Sequence, residues 1–232
     1  MNTEAAPTPC SERRKALFGL LVRKPRWGLS WTAWLILAAA FGTVTVWMRC
    51  ESYLFLSPTD RLGGEYLVVE GWIPAYGLKE AKDLFDKGGY RKVIVSGCVA
   101  VEELKGNPRA TYADWGAGKL QLLGMNTESI QPVPCYVLQK DRTYNSAVAV
   151  RDWFEQNKIP VAAIDVVSMG AHSRRSRLMY EKAFHDKVKV GIFAVEDRGF
   201  DPSHWWRTSE GVREVLGETI AYFYARFFFS QS

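Results

Sequence analysis

The sequence predicts an α/β domain with a mainly parallel five-stranded sheet, preceded by one transmembrane helix. Short apolar runs alternate with helical patterns over residues 65–232. Most of these runs are continuously apolar, which is typical of parallel strands that helices cover on both faces. A separate uncharged apolar run follows a basic leader near the amino end, and its length suits a membrane span.

Composition bounds the class of protein. The 232 residues are 47% apolar, which allows one domain with a sizeable core and a small additional segment. The net charge of +5 is mild and lies largely before residue 27. Because no basic tract with interleaved aromatic residues follows, nucleic acid is excluded as the expected partner. Cys10, Cys50, Cys98 and Cys135 show no metal-binding spacing, so neither a zinc site nor a disulfide framework is predicted. Cys98 follows a predicted strand; it is interpreted as a small apolar residue, with a position near the site as the alternative.

The amino-terminal region predicts a membrane anchor. Residues 31–48 are uncharged, and as a helix they span about 27 Å, close to the ~30 Å hydrocarbon core. Basic residues precede the run, and Arg49 directly follows it. This bias places the amino end in the cytoplasm and the main domain outside the inner (plasma) membrane, in the periplasm of a two-membrane cell. The predicted organisation is a basic leader (1–30), an anchor (31–48), a linker (49–64) and the α/β domain (65–232).

Two alternatives to this anchor stay open. Ala38, Ala39 and Ala40 offer a signal-peptidase site, so the run can also be a cleaved signal peptide. The apolar stretch continues past these alanines, which favours an uncleaved, single-pass anchor. A buried core helix is the second alternative, and the asymmetry of the flanking charge argues against it.

Five strands and five helices are predicted in the main domain. The strands cover 66–69, 92–96, 131–138, 163–168 and 189–195, and prolines in the third indicate an edge strand. The helices begin near Pro74, Tyr112, Asp141, Ala171 and Val212. Right-handed crossovers place all strand carboxyl ends on one edge, where open α/β sheets bind ligands. The aromatic tail, 222–229, is expected either to pack in the core or to touch the membrane surface.

The segment 168–177 carries the central hypothesis about function. His172, Arg174, Arg175 and Arg177 crowd the start of a predicted helix. Each cation at that electropositive end costs about 0.3–1 kcal/mol. An anion bound to the N–H groups of the Gly170–Ala171 turn would reverse that cost, so we expect a phosphate or carboxylate site there. The alternative is a solvated basic face whose arginines pair with Asp or Glu elsewhere.

Several polar residues follow strands and should converge on the same crevice: Glu70, Ser96, Asp141, Arg142 and His172. Glu70 is a candidate general base or a ligand for hydroxyls or a metal; its structural alternatives are a helix cap or a partner for Arg175. Gly71 permits close approach of backbone or ligand, and Trp72 can stack on a ring or close the loop.

The third helix start and His172 supply the remaining candidates. Asp141 or Thr143 is expected to cap the helix, and Arg142 and Asn145 are candidate ligand contacts. Asp141 is also a candidate to orient His172 or Arg174. His172 is a candidate acid or base, because its charge changes near neutral pH, or else a structural hydrogen-bonding group. Serine-hydrolase, P-loop and dinucleotide motifs are absent from the sequence, no metal site is predicted and the cofactor is left unassigned.

Four blocks of sequence resemble the YdcF-like family, which includes SanA- and ElyC-type envelope proteins and is classed as a domain of unknown function. They are a strand ending in Val-Val-x-Gly at Gly71, the pair Ser96–Gly97, the Arg-Thr-Tyr-x-x-Ala block at 142–147, and the Gly-Ala-His-Ser-Arg-Arg-Ser-Arg block at 170–177. The resemblance covers roughly 64–228. Glu70, Ser146 and Cys98 depart from the family pattern, which has Gly, Asn and Gly there, and these departures bear on the ligand more than on the fold.

The resemblance implies a Rossmann-like three-layer sandwich outside the membrane. Anchored relatives are associated with envelope integrity, peptidoglycan or polysaccharide synthesis and lipid-carrier metabolism, and a soluble relative with S-adenosylmethionine. The implied site positions are Gly71, Ser96, Gly97, Thr143, His172 and Arg175. The sequence therefore predicts a membrane-anchored envelope protein that binds, and in one version hydrolyses or transfers, a phosphorylated or lipid-linked envelope precursor. The alternatives are a non-catalytic regulatory module and a nucleotide-like or S-adenosylmethionine-binding domain.

Overall fold

The computed structural model describes residues 15–16, 21–23, 27–100, 110–137 and 140–230. The chain divides into two compact units, Met1–Met48 and Arg49–Ser232. In the first unit, strands β1 (Lys15–Ala16), β2 (Leu21–Arg23) and β3 (Trp27–Leu29) form an antiparallel sheet in that order, which the sequence did not predict. Helix α1 (Trp31–Leu56) follows and is long and apolar enough to cross a membrane. Its apolar window is 6% buried, which does not fit a buried core helix.

The end of α1 differs from the predicted linker. The helix continues beyond Met48, and within the second unit Tyr53 and Leu56 are buried against Phe200 and Val215. The chain then forms an antiparallel bridge between Asp60 and Ile192. The segment 49–64 is therefore held to the α/β domain by apolar packing and backbone hydrogen bonds, which the turn-forming residues in the sequence did not reveal.

The second unit contains the predicted sheet, with all five strands parallel. The strands are β4 (Tyr66–Glu70), β5 (Lys92–Cys98), β6 (Ile130–Cys135), β7 (Ala163–Met169) and β8 (Lys189–Val195). Their order is β6-β5-β4-β7-β8, so the first strand of the domain is the central one. β6 lies at an edge, as its prolines predicted, because an edge strand loses less when ladder donors are missing.

Helices cover both faces of this sheet. They are α2 (Ala75–Gly88), α3 (Tyr112–Leu122), α4 (Arg142–Gln156), α5 (Ser173–Ala183) and α6 (Ser209–Phe227). Short 3-10 turns occupy Thr127–Ser129, Gly170–His172 and Pro202–Arg207. Leu67 and Val69 face a core shared with α2 and α3, whereas Val68 faces the core shared with α4 and α5. Both faces are buried, which explains the continuous apolar runs.

The closing helix α6 leaves several of its apolar residues exposed. Val215 is fully buried, but Ile220 is 72% and Phe227 70% exposed. Phe228 is also exposed, so packing of the whole aromatic tail in the core is wrong. Phe229 does pack edge-on against Tyr144, with ring centroids 5.1 Å apart. The other expectation for the tail, contact with a membrane surface, stays a prediction.

Candidate functional site

The strand carboxyl ends open into a cavity of about 570 Å³. Nine of the residues singled out in the sequence line it: Glu70, Trp72, Ser96, Gly97, Asp141, Arg142, Thr143, His172 and Arg175. Cys98, Tyr112, Ser146, Met169, Glu214 and Glu218 complete the lining. The predicted topology thus brings together residues that lie far apart in the chain. The wall mixes carboxylates with arginines, so it is not a uniformly basic cleft.

The pairing of His172 with Glu218 dominates the chemistry of the cavity. The imidazole Nδ1 lies 2.9 Å from Oε1 of Glu218, and both side chains are 13% exposed. His172 leaves the end of β7 through the Gly170–His172 turn, where Gly170 has φ +48°. Glycine adopts that backbone conformation without steric cost, which explains the residue at this turn. Glu218 comes from α6 on the other side, so the pair joins two elements distant in sequence.

Arg175 makes this pair a three-residue cluster. Its Nε and Nη2 donate to Oε2 and Oε1 of Glu218 at 2.7 and 2.9 Å, a bidentate pair. Nη2 also lies 2.9 Å from Nδ1 of His172. Both contacts of Nδ1 cannot be hydrogen bonds at once. The carboxylate is the stronger partner, so we assign a proton to Nδ1, donated to Glu218, which leaves the lone pair on Nε2.

The two carboxylates that α6 contributes to the cavity, Glu214 and Glu218, differ in their pKa. Burial alone would raise the pKa of Glu218, but hydrogen bonds and charge from Arg175 and His172 outweigh it and lower that pKa to about 2. Burial raises the pKa of Glu214, and the neighbouring Glu218 charge raises it further. Glu218 is therefore a fixed anion, while Glu214 takes up a proton more readily than an ordinary glutamate.

The Nε2 side of His172 faces two cavity residues. The hydroxyl of Thr143 lies 3.4 Å from Nε2, a long contact that a ligand group can replace. Trp72 meets the imidazole edge-on, with ring centroids 5.1 Å apart. An imidazole held by a carboxylate on one nitrogen and open to a cavity on the other is the arrangement of a general base.

Glu70 lies on the cavity floor and is 4% exposed. Its Oε2 accepts from the Ser168 hydroxyl at 2.6 Å and its Oε1 from the Ser176 hydroxyl at 2.8 Å. Beside it, the hydroxyls of Ser96 and Tyr180 lie 2.7 Å apart. Burial and the Glu70 charge both raise the pKa of Tyr180, which stays a neutral hydroxyl. The structural alternatives for Glu70 were a helix cap or a pair with Arg175. Its hydrogen-bond partners are instead the hydroxyls of Ser168 and Ser176.

Gly71 and Gly97 allow the start of α3 to pack closely against the sheet. A Cβ atom on Gly71 would lie 2.0 Å from the backbone oxygen of Tyr112. One on Gly97 would lie 2.7 Å from the Tyr112 Cβ. Both glycines let the start of α3 approach the sheet, and Tyr112 consequently becomes part of the cavity wall. Gly71 itself lies outside the lining.

The start of α4 is built differently from the expected cap. Asp141 occupies the N-cap position with φ +50° and makes no side-chain cap hydrogen bond, and Thr143 lies inside the helix. The amide of Asn145 instead donates to the backbone oxygens of Lys140 and Asp141 at 3.1 and 3.0 Å. Asn145 is therefore a structural residue outside the cavity lining. The partner that orients His172 is Glu218, not Asp141.

Arg142 reaches the cavity from the same helix start. Its Nη2 donates to the Val99 backbone oxygen at 2.9 Å, and the guanidinium lies 5.5 Å from the centroid of the Tyr112 ring. These contacts hold one edge of the guanidinium against the wall. Among the residues that the structure describes, no acidic side chain forms an ion pair with Arg142 within 4 Å.

The other arginines of the 170–177 block have partners away from the cavity. Arg174 donates to the Phe55 backbone oxygen and lies 4.0 Å from the Phe55 ring centroid. Arg177 pairs with Asp60 at 2.9 Å and with Glu181 at 3.0 Å. Gly170 and Ala171 are buried and do not line the cavity. Each arginine therefore has an internal partner, and no external anion is needed to balance the arginines at this helix start.

The sequence reasoning missed Glu214 and Glu218. They lie four residues apart on one face of α6, and His172 and Arg175 lie three apart on a facing surface. The four-residue spacing of Glu214 and Glu218 indicates a shared helix face, but the helix was predicted from its apolar residues alone. Within the described ranges, no group of three or more His, Cys, Asp or Glu residues is arranged to hold a metal ion.

Comparison with known proteins does not assign the chain to a family. No protein-family model matches the chain, and no curated protein matches it in sequence. The fold and the site define the class: a parallel α/β domain with an acid–base cluster at the carboxyl edge of its sheet.

Proposed function

We propose that the α/β domain binds a phosphorylated cell-envelope or polysaccharide precursor in this cavity, such as a lipid-linked sugar or a polyprenyl phosphate. The chief support is the Glu218–His172 pair, which directs Nε2 of His172 into a cavity that Arg142 and Arg175 also line. The resemblance of the 142–147 and 170–177 blocks to YdcF-like envelope proteins supplies the class of ligand.

Two guanidinium groups support recognition of a phosphate. A guanidinium carries five N–H donors, and Glu218 engages Arg175 through Nε and Nη2. In the described part of the chain, no hydrogen bond involves Nη1 of Arg175. A phosphate oxygen can bind there and to Arg142, and charge-assisted bonds of this kind are roughly twice as strong as neutral ones.

Turnover, in this proposal, begins at His172. Nε2 takes a proton from a water or an attacking hydroxyl, and Glu218 stabilises the imidazolium that forms. The attacking oxygen forms its bond to phosphorus, the bond from phosphorus to the leaving oxygen breaks, and the His172 imidazolium gives its proton to that leaving oxygen, which completes a hydrolysis or transfer. Glu70, which the two serines hold in place, accepts a hydrogen bond from a ligand hydroxyl through its remaining lone pairs.

A non-catalytic regulatory module is the second candidate function. It is favoured because Glu218 already neutralises Arg175, which weakens the attraction for an anion. An S-adenosylmethionine or nucleotide-like site remains the third, and the cavity wall contains no feature that singles it out.

For location, we propose a single-pass protein of the inner membrane, with its amino end in the cytoplasm and its α/β domain outside. The apolar helix α1 and the basic residues before it support this arrangement. A reporter enzyme fused after Ser232 should be active in the extracytoplasmic space. Activity confined to the cytoplasm would contradict the topology.

Ligand binding is tested on the full chain in detergent by thermal unfolding with phosphate and with pyrophosphate. We expect the melting temperature to rise with either anion. Arg175→Lys should abolish the rise because a lysine cannot keep both the Glu218 pair and a phosphate contact. Arg174→Lys is the matched control, since Arg174 lies outside the cavity, and should keep the rise. No rise in the unaltered protein would overturn the proposal.

Turnover is tested with polyprenyl phosphates and sugar phosphates as substrates. His172→Gln should lower the rate at least about 100-fold, the usual contribution of a general base, while the anion-dependent thermal shift remains. Glu70→Gln should lower the rate less, because Glu70 contacts a ligand hydroxyl and takes no proton in the reaction. Binding without turnover in the unaltered protein would favour the regulatory module instead.

A further inference from the structure

Two cysteines lie side by side at one wall of the cavity. Cys98 is the last residue of β5 and Cys135 the last of β6, and the two are direct partners in the parallel ladder. Neighbouring strands lie about 4.8 Å apart, and paired residues project to the same face. That spacing falls inside the range of roughly 4.4–6.8 Å between Cα atoms that a disulfide requires. Both thiols are free in this structure.

The two thiols differ in their access to the cavity. Cys98 lines it, whereas Cys135 does not, and their residues are 2% and 4% exposed. A reagent that enters the cavity therefore meets Cys98 first, and Cys135 lies within reach behind it. This order is the one that thiol–disulfide exchange uses, with an accessible attacking thiol and a neighbouring resolving thiol.

Local polar groups also distinguish the two thiols. Sγ of Cys98 donates to the Arg142 backbone oxygen at 3.3 Å and lies 3.2 Å from Oγ of Ser146. The hydrogen bond from Cys135, assisted by Ser146 and Arg142 against burial, lowers the pKa of Cys98 to about 7. The same interaction, with burial, raises the pKa of Cys135. Cys98 is therefore the easier of the two thiols to ionise, and it gives up its hydrogen bond to the Arg142 oxygen when it does so, while Cys135 holds its proton more tightly.

From the strand register and the cavity geometry, we propose that Cys98 and Cys135 form a thiol–disulfide exchange site for small disulfides. The Cys98 thiolate attacks one sulfur of the reagent, breaks its S–S bond and releases one thiolate. Cys135 then attacks the Cys98 sulfur of this mixed disulfide and passes its proton to the second thiolate as it leaves. The products are a Cys98–Cys135 disulfide and two reduced thiols, so the reagent gains the two electrons that the cysteines lose.

The reaction would alter the cavity wall. Bonding to Cys135 replaces the contacts of Cys98 with Arg142 and Ser146, which belong to the first turns of α4. The redox state of the pair is thereby coupled to the side of the cavity that carries Arg142. This inference rests on the strand geometry and stands independently of the ligand proposed above.

The test uses the full chain in detergent with Cys10 and Cys50 replaced by serine, and oxidised glutathione as the probe. After acid quenching, unfolding and alkylation, mass spectrometry should show a Cys98–Cys135 disulfide that alkylating reagent does not modify. Cys135→Ser should stop the reaction at a stable glutathione adduct on Cys98. Cys98→Ser, or Cys98→Ala if the serine variant unfolds, should give neither adduct nor disulfide.

Two outcomes would overturn the proposal. One is full alkylation of both cysteines after exposure of the folded protein to the probe. The other is a glutathione adduct on Cys135 in the Cys98→Ser protein, which would show that Cys98 is not the attacking thiol. The rate of the first step should rise with pH through about 7, and a rate that does not change between pH 6 and pH 8 would count against the thiolate as the attacking group.

Discussion

The Glu218 carboxylate binds Arg175 through two hydrogen bonds, at 2.7 and 2.9 Å, and thereby joins the closing helix to the helix that follows β7. The same carboxylate holds Nδ1 of His172. A single side chain from α6 thus fixes the orientation of both the candidate base and a candidate phosphate ligand. Several measurable consequences follow from this contact and from others like it.

Glu218→Gln should destabilise the protein by about 3 kcal/mol, because Arg175 is left without its counter-ion in a largely buried position. The measurement is urea unfolding at pH 7. Glu214→Gln provides the matched control one turn earlier on α6. It removes a charge that Glu218 repels, so its free energy of unfolding should stay unchanged or rise slightly. Equal losses in the two variants would contradict the assigned pairing.

Acid should weaken the Glu218 contact within a defined pH window. The pKa of Glu218 is lowered from 4.5 to about 2, so its contribution is fully present above about 4.5 and is lost as the pH falls towards 2. The difference in unfolding free energy between the unaltered protein and Glu218→Gln should shrink across this window. A difference that stays constant from pH 5 to pH 2 would show that Glu218 titrates normally.

Gly71→Ala should destabilise the protein by about 3 kcal/mol, because the new Cβ would overlap the Tyr112 backbone oxygen, which cannot rotate away. Gly118→Ala, on the same helix as Tyr112, places its Cβ in open space and should stabilise the protein by about 0.5–1 kcal/mol through helix propensity. Thermal unfolding of both variants checks the pair. Similar melting temperatures would argue against close packing of α3 at Gly71.

Asp165→Asn should cost about 3 kcal/mol. The fully buried carboxylate accepts hydrogen bonds from the backbone N–H groups of Leu62, Gly63 and Gly64 and from the Tyr90 hydroxyl. The NH2 group of an asparagine at this position would face these N–H and O–H donors, which leaves buried donors without an acceptor. Tyr90→Phe, which removes only one of these bonds, should cost about 1 kcal/mol by urea unfolding. A smaller loss in Asp165→Asn than in Tyr90→Phe would refute this account.

The sheet could be predicted from the sequence because burial on both faces favours apolar residues at most positions of a strand. All five strands are present, and the end of β6 differs because the apolar run at 131–138 does not show where ladder hydrogen bonds stop. Residues 138–139 lie outside the described part of the chain. Parallel strands require crossovers of one hand, so the strand carboxyl ends could be placed on one edge, whereas the order of the strands was not predicted.

The arginine block shows where local sequence fails. Successive residues of a helix point about 100° apart, so Arg174 and Arg175 cannot share a role. The spacing of three between His172 and Arg175 indicates a common face, and the structure places both in the cavity wall. The residues adjacent to Arg174 in the sequence do not indicate that its partner is the Phe55 backbone oxygen, because that contact depends on the tertiary packing of the end of α1.

Glu218 was missed for a related reason. Its partners are 46 and 43 residues away, and no local motif links a closing helix to a strand-to-helix turn. The sequence likewise does not indicate that Cys98 and Cys135 are neighbours, since only the register of β5 and β6 brings them together. Pairwise chemistry across elements is set by tertiary geometry, which a single sequence specifies but does not display.

The order of the strands in the sheet determines when each strand can pair during synthesis of the chain. Within the parallel sheet, Tyr66–Glu70 is synthesised first, yet it needs a neighbour on each side, and one of these is Ala163–Met169. The Leu62 amide likewise finds its acceptor only when Asp165, 103 positions later, has left the ribosome. The central strand of the parallel sheet therefore keeps an unpaired edge until β7 has been synthesised, a stage at which a holding chaperone would have its greatest effect on yield.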